Sequence, residues 1–112
     1  MKEAQPVMAF GLMGGNQQAQ GHAQVLIDMI DLGANPQAAS DAARFTHAQA
    51  TNTLYLESEL FVKVGAALSA RGHHVVAANG EDMGGYQAIQ KGVDGVFRGA
   101  SDHRKDGQAV GW

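Results

Sequence analysis

FGLMGGNQQAQG, residues 10–21, decides how the chain is read, because its glycine pair separates two stretches of different hydrophobic period. Before it, residues 6–10 (PVMAF) form an apolar run of strand length. After it, Ala23, Leu26, Ile27 and Ile30 recur at helical spacing, with Val25 and Met29 alongside. A strand-to-helix turn presents backbone N–H groups at the positive end of the helix dipole. Glycine lets a ligand or a reacting oxygen approach those groups, since no Cβ stands in the way. Such a turn can bind a phosphate, a carboxylate or the oxyanion of an acyl transfer. It can equally be a tight connection that only glycine fits.

The residues exclude two phosphate loops. Gly11-x-x-Gly14-Gly15 is not G-x-G-x-x-G, no acidic residue stands at the required distance, and no Gly-Lys-Ser/Thr is present. What remains is a neutral anion or oxyanion cradle flanked by Asn16, Gln17, Gln18, Gln20 and Gln24.

The blocks along the chain then carry a resemblance. FGLMGGNQQAQGHAQVLIDMIDLGANPQAASDAARF (10–45), LYLES (54–58), LSARGHHV (68–75), GGYQAIQ (84–90) and GASDHRKDGQAVGW (99–112) stand in an order that resembles the C-terminal part of gamma-glutamyltranspeptidases. The resemblance implies an N-terminal-nucleophile (Ntn) hydrolase, an αββα sandwich of mixed α/β (α+β) class with mainly antiparallel strands. In that family a precursor cleaves itself, and the new N-terminal threonine of the small subunit attacks a gamma-glutamyl amide of the glutathione type. The acyl group passes to water or to an amino acid.

By the same resemblance Gly14 and Gly15 match the family's oxyanion-hole pair, acting through their backbone N–H groups. The nucleophilic threonine is expected upstream of that pair, whereas Thr46, Thr51 and Thr53 all lie downstream. The chain (residues 1–112) is therefore expected to be one domain, a C-terminal fragment of a larger enzyme and inactive alone. Its expected partners are the large subunit and the rest of the small subunit. Leu12-Met13 precede the glycines here, where many glutathione-processing members carry Ser-Pro, so amide acyl transfer is the safer substrate class. An acylase-like amidohydrolase and a non-catalytic, self-associating module stay open as alternatives.

Charge and composition give no sign of nucleic acid or membrane surface, with a formal net charge of −3 and pI near 5.9. No apolar run approaches transmembrane length. The absence of cysteine excludes disulfides and thiolate metal sites. None of the histidines (His22, His47, His73, His74, His103) forms H-x-x-x-H, so no metal and no cofactor is expected. His22 is read as a capping or core residue. Ser101-Asp102-His103 holds triad residue types, but consecutive residues cannot converge as a triad must, and Asp102 with Arg104 is read as a turn brace.

The remaining elements follow from their punctuation. Helices are expected at 18–32, stopped by Gly33, and at 36–43, where Asn35 caps and Pro36 takes the first position. A third is capped by Ser58 and closed by Arg71-Gly72. Strands are expected at 53–57, 73–77, 86–90, 95–101 and 108–112. The apolar surface of the first helix (Val25, Met29, Leu32; Leu26, Ile30) is wider than one buried stripe. The isolated chain is therefore expected to self-associate, as a homodimer.

Overall fold

A computed structural model describes residues 5–111. The first sheet holds β1 (Met8–Met13), β5 (Gly85–Lys91) and β6 (Phe97–Ser101) in the order β1-β5-β6, antiparallel throughout. The second holds β2 (Phe45–Ala48), β3 (Thr53–Glu57) and β4 (His74–Ala78). There β2 and β3 run antiparallel, whereas β3 and β4 run parallel through the crossover helix α3 (Ser58–Ala70). Helices α1 (Gln18–Ile30) and α2 (Pro36–Asp41) link the sheets. The chain is thus mixed α/β, with three of the four strand pairings among the described residues antiparallel.

The core lies between the first sheet and the two helices. Leu12 of β1, Tyr86 and Ala88 of β5, Ala100 of β6, Val25 of α1 and Ala39 of α2 form one buried cluster. Gly21 brings α1 against β1, since a Cβ there would stand 2.7 Å from a Leu12 methyl. The opposite face of the same sheet exposes Met13, Ile89 and Phe97.

Several boundaries differ from those read in the sequence. β1 begins at Met8 rather than Pro6 and continues to Met13, carried by six paired residues opposite β5. The first helix ends at Ile30, and Leu32 is exposed. Asn35 caps α2 as expected, its Oδ1 accepting the Ala38 amide at 2.8 Å, but α2 stops at Asp41. Glu57, not Ser58, holds the N-cap position of α3 and makes no side-chain cap there. Its carboxylate is committed elsewhere, to the Arg44 amide and the Arg104 guanidinium.

Two corrections concern strands. Phe45–Ala48 was not expected as a strand; it is too short and polar to carry an alternation of its own. Residues 108–111 form no strand, and Trp112 lies outside the described residues. They run over the exposed face of the first sheet beside Phe97 and Gly99. The β6 edge they would have joined is already occupied at Ser101, whose N–H donates to Gln37 Oε1 at 3.1 Å while its carbonyl accepts from Gln37 Nε2 at 3.0 Å.

Candidate active site

The glycine pair sits where the sequence places it, between β1 and α1, on a short 3₁₀ turn at Gly15–Gln17. Both glycines have positive φ, +135° at Gly14 and +57° at Gly15. That left-handed backbone costs an L-residue about 1–2 kcal/mol. The Gln17 amide donates to the Gly14 carbonyl at 3.1 Å, and the Gln18 amide donates to the Gly15 carbonyl. Among the described residues, neither the Gly14 nor the Gly15 amide donates a hydrogen bond. Both glycines are exposed, at the end of α1 where the helix dipole is positive.

A third glycine, Gly84, supports the turn from behind. A Cβ on Gly14 would stand 2.9 Å from the Gly84 Cα, and a Cβ on Gly84 would collide with the Met13 carbonyl. The two backbones therefore touch at a place where neither can carry a side chain. Beside Gly15 the space is open.

Beneath Gly84 lies a buried ion network. The Arg44 Nη1 donates to the carbonyls of Met83 and Gly84 at 3.1 and 3.4 Å. Its Nη2 lies 2.7 Å from Asp102 Oδ2. The Arg104 guanidinium holds both Glu57 carboxylate oxygens at 2.6 Å and Asp102 Oδ1 at 3.1 Å. Two cations thus face two anions; Arg44 Nη2 and Arg104 Nη1 also reach the Ser40 carbonyl and Arg104 Nη2 the Ala42 carbonyl, while Arg44 Nε is buried without a partner among the described residues. Burial works to raise the Asp102 pKa, but the Arg104 and Tyr86 amides and the Arg44 charge outweigh it, and the carboxyl stays below its ordinary value. Burial alone pushes the Tyr86 hydroxyl up, with Arg44 opposing. Asp102 is therefore more than the turn brace read in the sequence. It joins β5, the loop after β6 and the start of β2.

The amide-rich flank behaves differently from expectation. Gln17, Gln20 and Gln24 turn away from the glycines and bond the backbone of β2. Gln24 takes both polar groups of Phe45, N–H to Oε1 and Nε2 to O, each at 2.9 Å. Gln20 does the same at His47, at 2.8 and 3.0 Å, and Gln17 Nε2 adds a bond to the Phe45 carbonyl at 3.1 Å. These carboxamides are used structurally rather than as walls of an anion cradle. Spacing i, i+4 on a helix facing i, i+2 on a strand is the only trace of this in the sequence.

His22 is half-buried beside β1, its Nε2 accepting the Leu12 amide at 3.1 Å and its ring edge-on to Phe10. The Ser-Asp-His run does not assemble: His103 pairs with Asp41 at 3.2 Å on the surface, away from Asp102's buried partners. Thr53 Oγ1 contacts the Thr51 carbonyl and His74 Nδ1 on the second sheet, at 3.3 and 3.2 Å. Among the described residues no three metal-ligating side chains converge, and no helix is long and apolar enough to cross a membrane.

The mixed α/β frame, with three of the four strand pairings among the described residues antiparallel, matches part of the Ntn-hydrolase fold of the solved relatives. The family profile described as Gamma-glutamyltranspeptidase matches residues 1–112. The chain belongs to the gamma-glutamyltranspeptidase family. It is 31% identical to the "Glutathione hydrolase-like YwrD proenzyme" of Bacillus subtilis, over 98% of this chain and 22% of that protein. Cephalosporin acylase from Bacillus halodurans superposes with a TM-score of 0.91 at 38% identity, over all of this chain and 21% of the acylase. The gamma-glutamyltranspeptidase from Pseudomonas nitroreducens, complexed with L-DON, gives a TM-score of 0.84 at 28% identity, over all of this chain and 57% of that one. The chain thus spans about a fifth of the length of its full-length relatives.

Proposed function

We propose that this chain is the terminal portion of the small subunit of an Ntn amide hydrolase or acyltransferase, and that Gly14 and Gly15 form its oxyanion hole. The observation that carries the reading is the pair of exposed amides at the strand–helix turn that donate no hydrogen bond among the described residues. Attack on an amide carbonyl puts negative charge on oxygen, and donors fixed beforehand cost no reorganisation when that charge develops. Each such donor contributes about 3–4 kcal/mol in an enzyme that depends on it. The nucleophile is an upstream threonine, and the large subunit with the rest of the small subunit completes the substrate site. The substrate is a gamma-glutamyl amide of the glutathione type. The higher identity to an acylase, together with Leu12-Met13 before the glycines, favours an acylase-like amide as the second reading.

The test is release of a chromogenic amine from a gamma-glutamyl anilide, run beside a side-chain acylated cephalosporin. The full-length protein is expected to turn over one of the two, and the 112-residue chain neither. Turnover by the isolated chain, abolished by a substitution within it, would overturn the fragment reading.

A further inference from the structure

Both edge strands next to the glycine turn are bonded by one helix. On the first sheet, the Leu12 amide points out of β1 to His22. On the second, the outward N–H and C=O groups of Phe45 and His47 are taken by Gln24 and Gln20. Each glutamine carboxamide supplies one donor and one acceptor to a residue, as a neighbouring strand would. The residues sit four apart on α1 and two apart on β2. That matches the rise of about 6 Å along a helix to about 6.6 Å along a strand. The first two turns of α1 are therefore fixed against both sheets.

The glycine turn hangs from the same turns of helix. The carbonyls of Gly14 and Gly15 are held by the amides of Gln17 and Gln18, and Gln17 also bonds Phe45. A peptide plane carries its carbonyl and the next amide together, so moving the first turn of α1 re-aims the amide of Gly15. Resting on the oxyanion role given to Gly14 and Gly15 above, we infer that Gln20 and Gln24 are positioning residues for that oxyanion hole. They act through α1 and touch neither substrate nor nucleophile.

The experiment uses the full-length protein and the substituted chains Gln24→Met and Gln20→Met, which keep the aliphatic stem and lose both bonds. Turnover of the better of the two substrates above is expressed per acyl-enzyme site titrated in the initial burst, with unfolding temperature measured in parallel. The inference predicts that kcat and kcat/KM fall together by about 10- to 100-fold with KM unchanged. Gln24→Glu, which keeps the acceptor for the Phe45 amide, should recover part of the loss. A lowered unfolding temperature with wild-type kcat per titrated site would overturn the inference, because a merely structural role gives that result.

Gly15→Ala separates the two ideas. Wild-type kcat in that variant sinks the oxyanion reading. Loss of kcat there beside normal Gln20 and Gln24 variants sinks only the positioning role. Should a glutamine variant fail to mature, amide exchange at Gln17 and Gln18 in the unprocessed protein decides: faster exchange supports the inference, and wild-type protection overturns it.

Discussion

Asp102 shows how much of this chain depends on single side chains. Its two oxygens accept from the amides of Tyr86 and Arg104, and its charge balances Arg44 in an interior where both side chains are almost fully buried. Removing one partner from such a pair leaves the other charged and unsolvated, at a cost of about 3–5 kcal/mol. Asp102→Ala in the full-length protein is expected to lose that much in chemical denaturation. A loss below about 1 kcal/mol would mean that solvent reaches Arg44. The sign with pH follows from the depressed pKa. Above the unfolded value of 3.8 the carboxylate is charged in both states and its stabilisation is complete. As pH falls through the lower folded value the unfolded chain binds the proton first, and that stabilisation is lost. Stability that keeps rising as pH drops below 3.8 would contradict this.

At the scale of elements, the sequence was readable wherever punctuation is local. Asn35-Pro36 starts α2, Gly33 and Gly72 follow helices with positive φ, and the strand at Thr53–Glu57 has the expected ends. The glycine turn falls where a change of period announces it. What escaped depends on partners far along the chain. β2 is a strand because β3 pairs with it on one side and glutamines of α1 pair on the other. The segment at 108–111 reads as a strand, yet Gln37 had already taken the β6 edge. Arg44 looks like one more charge beside Phe45, and only the fold brings it to Met83, Gly84 and Asp102. The glutamines stand out by their chemistry, but an amide serves a strand edge as well as an anion, and here Gln20 and Gln24 serve the edge of β2.

As a whole molecule the chain is less compact than its length allows. Its radius of gyration is 15.5 Å, against about 13 Å for a compact domain of this size, and it measures 47 × 29 × 24 Å. Val62 of α3 is 83% exposed and Phe97 of β6 68%. Apolar surface left open in this way recruits partners. The isolated chain is therefore expected to self-associate at micromolar concentration, as a two-fold dimer, through these faces rather than through the edges that Gln20, Gln24 and Gln37 occupy. Light scattering coupled to size exclusion checks it; a clean monomer that binds no apolar dye would contradict it.

The central claim is that this chain supplies the amides of an oxyanion hole to a larger amide-cleaving enzyme. The most direct measurement is a crystal structure of the full-length protein with a boronate that mimics the tetrahedral intermediate. The account predicts one boronate oxygen at about 2.7–3.1 Å from the nitrogens of both Gly14 and Gly15. That oxygen held by other donors, with the two amides facing water or bonded within the protein, would contradict it.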